Sequence, residues 1–322
     1  LVALWSGPNL YWIYLTCHII YQQFFLELIM RLNNNMKGAA LMTGCVSAYV
    51  INDAFMKLLF SEMALFQAVF LRSIITIPPV LAVAWITKTT ILELSKHDKH
   101  LITVRVVAEI LTTVAFLTAL KHMPLANVTA ILQALPLAIT MAAALFLSEP
   151  VGWRRWTAIL AGFVGVLIVV RPGLDGFNYY SLSALSAMVF VTIREIATRK
   201  LTSTVPTVTV VLATAIGSTL FAGIMLIGVE WQPVNAASWL LIFGSAVAIL
   251  IATLLSVMAI RTGDIGFVSP FRYTSMIGAI GLGILMFGDW PDQPTLIGTF
   301  IIVVTGVYSF HREQALSKKV IS

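Results

Sequence analysis

The chain alternates long apolar runs with short polar breaks. About 20 apolar residues, wound as a helix, match the thickness of the hydrocarbon core of a bilayer. Ten such runs can be marked, at 38–57, 62–86, 103–121, 125–147, 154–171, 179–200, 206–229, 237–260, 265–288 and 294–311. Helix breakers separate them: Met123-Pro124, Glu149-Pro150, the turn from Arg171 to Gly176, Val205-Pro206, Gly263-Asp264, and Pro291 with Pro294. Only the stretch from Lys88 to Arg105 is long and hydrophilic, so no soluble domain is expected. The pattern predicts an all-α integral membrane protein with ten transmembrane helices.

Composition agrees. Apolar residues make up 59% of the chain and charged residues 11%, with a mean hydropathy of +0.94. A soluble domain is nearer about 45–50% and 25%, and a water-soluble globule of 322 residues could not hide this much apolar surface. The two cysteines, Cys17 and Cys45, offer neither a disulfide framework nor zinc spacing. Residues 1–36 are read as an N-terminal extension. The first 29 contain no lysine or arginine and lack a signal-peptide pattern. The expectation is a start placed too far upstream, with Met30 or Met36 as the true beginning; the alternative is an extra membrane-associated helix.

The net charge of +6 could suggest a nucleic-acid partner, but its distribution suggests loops facing the cytoplasm. With the N-terminus inside, fourteen of the 20 basic residues fall on the inner side, three (Lys57, Lys121, Arg171) on the outer, and three (Arg72, Arg194, Arg272) within spans. Such a bias sets topology in multi-pass proteins and predicts cytoplasmic N- and C-termini in an inner membrane.

A repeat is visible at an offset of 140 residues, where 119–150 aligns with 259–291. Ala119 meets Ala259, Lys121 meets Arg261, Val128 meets Val268 and Glu149 meets Asp289. Each half then holds five spans. Five is odd, so the second half enters from the opposite face, giving the inverted repeat common in secondary transporters. The expected units are an extension at 1–36, a first repeat at 37–173, a second at 174–313, and a cytoplasmic tail at 314–322.

The residues of this repeat carry a resemblance. The stretch 116–173, with its Ala119-Leu120 pair, the short turn at Met123-Pro124, the central Pro136, Glu149 and a glycine-rich helix, is similar to the third-to-fifth helices of the drug/metabolite transporter superfamily in its ten-helix EamA-type branch. Residues 269–291 resemble its ninth helix, with Asp289 where glutamate is commoner. Within the branch, the segments beginning at Pro124 and Pro270 look most like riboflavin importers and S-adenosylmethionine uptake carriers. The resemblance covers about 37–313 and implies two EamA repeats, a central cavity, no cofactor and a small-molecule substrate. Oligomeric state stays open between monomer and homodimer.

Ionisable groups within a span are costly and usually face a cavity or one another. Those here are Asp53, Arg72, Glu109, Arg194, Glu195 and Arg272. Acids and bases balance, which fits a neutral or zwitterionic cargo. Asp53 is either a proton or cargo site or an interfacial acid near Lys57. Arg72 is deep in its helix, in a cavity-lining or ion-pair role. Glu109 stands one turn beyond Arg105, and an intrahelical pair is the plain expectation. Arg194 and Glu195 are adjacent, so they should diverge by about 100° and fail to pair face to face, leaving at least one to find a partner on another helix. Arg272 and Tyr273 follow Pro270, which frees a backbone carbonyl as in the broken helices of transporters. Gln133 aligns with Tyr273 at the same offset, making these two the favoured cavity-lining pair, with interhelical hydrogen bonding as the alternative. The expected substrate-binding set is Gln133, Arg272, Tyr273, Arg72 and Asp53, with Glu109, Arg194 and Glu195 as coupling or ion-pair residues. Asn127 is expected to cap its helix, Asp289 to cap or face solvent, and the glycines of the fifth and ninth spans to allow close packing.

Other classes lack their motifs. There is no Walker A loop, HExxH or GxSxG. The five histidines (His18, His97, His100, His122, His311) lie outside the deep membrane. A carrier driven by a proton or cargo gradient is the expectation. An intramembrane enzyme and a non-transporting sensor are the alternatives.

Overall fold

The structure is a computed structural model, and it describes residues 34–86, 94–146, 152–173, 177–202, 205–262 and 268–321. Residues 1–33, which hold Cys17, and position Glu149 lie outside the described residues.

The described chain is helical. In order come α1 (Asn34–Glu62), α2 (Leu65–Ile86), α3 (Lys96–His122), α4 (Leu125–Phe146), α5 (Trp153–Val170), α6 (Tyr180–Arg199), α7 (Thr207–Ile224), α8 (Ala236–Thr262), α9 (Pro270–Phe287) and α10 (Gln293–Ile321). Nine are long and apolar enough to cross a membrane. The tenth, α7, was expected to run to 229 but stops at Ile224. Its apolar stretch Val208–Ile224 is about 25 Å long at 1.5 Å per residue, somewhat short of a roughly 30 Å core. The molecule is thus a multi-pass membrane protein with nine or ten helical spans.

Two helices are broken. In α4 the pieces Leu125–Leu132 and Leu135–Phe146 meet at Gln133-Ala134. Pro136 brings no N–H to bond the carbonyl of Leu132, and its ring crowds that carbonyl. At the start of α9 the stretch Ser269–Thr274 winds as a 3-10 helix with Pro270 in its first turn, and the last stretch of α9, Gly283–Phe287, is a π-turn.

Packing follows a two-fold plan. The most extensive interfaces are α1 on α8 and α3 on α6, followed by α5 on α10 and α2 on α7. Exchanging each helix n with n+5 turns α1·α8 into α6·α3 and leaves α2·α7, α5·α10 and the α4·α9 contact unchanged. With five helices in each half, this is the arrangement that inverted repeats produce.

Lipid supplies no hydrophobic drive between helices, so close approach depends on small residues. At α5·α10 a Cβ on Gly165 would come within 2.8 Å of the Gly298 carbonyl, tighter than real contacts allow. The glycines of α9 differ from expectation: a Cβ on Gly281 would meet nothing, and one on Gly278 would make ordinary contact with Val50. Asn127 does not cap α4, whose N-cap is Pro124; its Oδ1 accepts from Thr295 Oγ1 on α10 at 3.3 Å instead. Trp85, Trp153, Trp231, Trp239 and Trp290 stand exposed near helix ends, where amphipathic rings meet lipid headgroups.

Candidate functional site

The site begins with α1. Cys45, Tyr49, Asn52, Asp53 and Lys57 recur at helical spacing, so one face of an otherwise apolar helix is polar. Asn52 is buried and joins three helices. Its Oδ1 accepts from Arg72 Nη1 on α2 at 3.2 Å and from Ser245 Oγ on α8 at 2.8 Å. Its Nδ2 donates to Asp53 Oδ1 at 3.0 Å. Asp53 and Arg72 are within electrostatic reach of each other, and among the described residues they form no direct ion pair.

A second polar centre lies on α3, α6 and α7. Arg194 donates to Glu109 at 2.7 Å and to Glu195 at 2.8 Å. Two expectations are corrected here. Arg194 does pair with its neighbour Glu195: the backbone directions diverge, but both side chains are long enough to converge at their tips. Glu109 pairs across to Arg194 on α6 rather than along its own helix to Arg105. Arg105 instead donates from Nε to Thr198 at 2.9 Å and from Nη1 to Thr214 at 2.6 Å. It therefore belongs to the interior, although its basic neighbours suggested a surface position.

The two centres correspond. Arg72 and Thr214 are each the eighth residue of α2 and α7, and Arg105 and Ser245 each the tenth of α3 and α8. Exchanging n with n+5 carries α1/α2/α8 onto α6/α7/α3.

The broken helices meet. Gln133 Nε2 donates to Ser275 Oγ at 2.8 Å and to the Tyr273 carbonyl at 3.3 Å. The structure thus brings Gln133 and Tyr273 together, but through the backbone of α9 rather than side chain to side chain. Both are buried, and the Tyr273 ring lies against Gly306 of α10. Its hydroxyl has no hydrogen-bond partner among the described residues.

Arg272 differs from the other interior arginines. It is half-buried, within electrostatic reach of Glu195, Cys45 and Tyr49, yet its guanidinium has no hydrogen bond or ion pair among the described residues. Tyr49 is within electrostatic reach of Arg272, Arg194 and Glu109 and keeps 37% of its surface exposed. Glu109 and Arg194 keep 23%, and Glu195 34%, of their side-chain surface accessible. These polar groups on α1, α3 and α6 thus keep part of their surface accessible. Sequence reasoning missed Tyr49 and Asn52 as site members, although the stripe on α1 was there to be read. Nothing in the sequence singled out Ser245.

One end of this interior is latched. Lys57 Nζ donates to the Met123 carbonyl at 2.7 Å and pairs with Asp289 at 3.3 Å, with the Phe287 ring centroid 4.8 Å away. Asp289 is therefore an ion-pair partner joining α9 to α1 rather than a cap or a solvated loop acid. At the same end Arg171 pairs with Asp292, tying the C-terminus of α5 to the N-terminus of α10.

Comparisons with known proteins agree with this architecture. A riboflavin transporter of Vibrio cholerae is 31% identical over 59% of this chain and 64% of its own length, so the chain spans a little under two thirds of that relative. An S-adenosylmethionine uptake transporter of Rickettsia bellii is 26% identical over 84% of this chain and 92% of its own. A pseudopaline exporter of Pseudomonas aeruginosa is 26% identical over 66% and 75%. A solved crystal structure shares the fold with a TM-score of 0.59 and 16% identity, covering 87% of this chain and 99% of the other. These relatives are transporters, not enzymes. Residues 36–171 and 178–310 each match the EamA-like transporter family. With a match in each half and ten helices around a polar interior, the chain belongs to the EamA-like transporter family, whose members carry small metabolites across membranes.

Proposed function

We propose that this chain is a secondary carrier of the inner membrane that moves a small organic metabolite by alternating access, with both termini cytoplasmic. In this reading the first repeat is 37–173 and the second 174–313. The cargo binds between them, in the space lined by Tyr49, Asp53, Arg72, Glu109, Arg194, Glu195 and Arg272, with Gln133 and Tyr273 joining the broken helices behind it. The observation that carries the proposal is the pair of matching polar centres, one on α1/α2/α8 and one on α6/α7/α3. An inverted repeat has two equivalent half-states, and each centre is suited to holding one end while the other opens. Charge distribution supports the orientation.

Three candidate activities come from the relatives. Riboflavin uptake is first by identity, S-adenosylmethionine uptake second and metabolite export third. The test is growth of a riboflavin auxotroph lacking its own uptake system, at limiting vitamin, with and without this chain. Rescue supports riboflavin. Good membrane expression without rescue removes it and moves S-adenosylmethionine to first place. Reporter fusions near Gly173 test the topology: a cytosolic signal there would give the first half an even span count and end the inverted-repeat reading.

A further inference from the structure

The charges of the interior do not balance. Four guanidiniums, Arg72, Arg105, Arg194 and Arg272, share it with three carboxylates, Asp53, Glu109 and Glu195. The sequence suggested equal numbers because Arg105 was assigned to the surface. Three of the four cations are accounted for. Arg194 is held by two carboxylates, Arg105 by two threonine hydroxyls, and Arg72 by Asn52 with Asp53 in electrostatic reach. Arg272 alone has no partner among the described residues. Glu195, the acid in its reach, is already bonded to Arg194 at 2.8 Å.

While the space is hydrated, water can solvate Arg272. Alternating access requires a moment when the space is closed around its cargo and most of that water is gone. An ion taken out of water without a counter-ion costs several kcal/mol, and guanidinium forms its strongest bonds with planar oxyanions. Something must then supply the missing negative charge. Arg272 sits on the short 3-10 stretch Ser269–Thr274, fixed by Pro270 and by the Gln133 bonds to Tyr273 and Ser275. It is thus held at the junction of the broken helices, within electrostatic reach of Tyr49 and Glu195.

We infer that the cargo carries an anionic group, a carboxylate or a phosphate, and that Arg272 is the residue that receives it. The inference rests on the carrier reading and re-orders its candidates. S-adenosylmethionine has a carboxylate. Riboflavin has no anionic group, while its 5′-phosphate does.

Matched pairs test this on the purified full-length chain. Equilibrium binding is measured for S-adenosylmethionine against its decarboxylated analogue, and for riboflavin 5′-phosphate against riboflavin. The anionic member of the pair recognised should bind on the order of 10- to 100-fold tighter, the worth of one charge-assisted hydrogen-bonded contact. Arg272→Gln should bring the two members together, and Arg272→Lys should keep most of the difference. The wild-type comparison needs no variant, so a poorly folding Arg272→Gln does not remove the test. Equal or tighter binding of the member without the anion overturns the inference, as does an anion preference that survives in Arg272→Gln. Liposome flux separates the two proposals. A chain that prefers the anion yet moves neither compound refutes the carrier reading and leaves Arg272 as an anion site. One that moves riboflavin regardless of Arg272→Gln does the reverse.

Discussion

Arg194 holds α3 to α6, and its removal should destabilise the fold more than the loss of either acid it binds. Arg194→Gln deletes two contacts, to Glu109 at 2.7 Å and Glu195 at 2.8 Å. It also leaves two carboxylates facing a space with no cation bonded to either. Breaking a buried pair by removing one partner costs about 3–5 kcal/mol when the site is dry. Here the side chains keep 23–34% of their surface accessible, so screening lowers this to about 2–3 kcal/mol. Glu109→Gln leaves Arg194 bonded to Glu195 and keeps a carbonyl that can accept, for a cost of about 1 kcal/mol. The assay is equilibrium unfolding of the reconstituted protein by increasing mole fraction of a denaturing detergent. The double variant Arg194→Gln/Glu109→Gln completes a cycle, in which the pair should show a coupling of about 1–2 kcal/mol. Equal losses for the two single variants, or a coupling near zero, would refute the claim that Arg194 is the centre of this cluster.

Other sites give independent checks. Asn52→Ala removes the acceptor that joins α2 and α8 to α1; interhelical hydrogen bonds in membranes average about 0.6 kcal/mol, so a loss of about 1–2 kcal/mol is expected in the same unfolding assay. Gly298→Val forces a side chain into the Gly165 carbonyl and Val169; overpacking of about 1–3 kcal/mol should appear as poor expression and early unfolding, while Gly281→Ala, which meets nothing, should be silent. Asp292 lies before α10. Burial alone would raise its carboxyl, but hydrogen bonds from Thr295 and Arg171 outweigh this and hold it below the usual carboxylate range. A depressed acid stabilises the fold above its unfolded value of about 4 and loses that contribution as the pH falls through the folded one. The group is 46% exposed, so Asp292→Asn should cost no more than about 0.5 kcal/mol at neutral pH. Unfolding of wild type and variant should converge under acid conditions.

The sequence alone determined the solvent, the number of helices and the division into halves. Those features depend on quantities local in the chain: run lengths set by bilayer thickness, breakers such as Pro124 and Pro206, and a 140-residue echo between Gln133 and Tyr273. It also narrowed the interior to a few ionisable residues, because charge within a span is too costly to be scattered. Partner choice was decided only by the tertiary structure. Glu109 passes over Arg105 on its own helix for Arg194 on another, Asn52 proves to be a junction of three helices, and Lys57 finds Asp289 at the far end of the chain. Those outcomes depend on how each helix is rotated and which neighbour it meets, and hydropathy carries no record of either. The same holds for the one adjacent pair judged from geometry. The directions in which Arg194 and Glu195 leave the helix could be derived from the sequence, but that their tips converge was decided by the side-chain conformations of the folded chain.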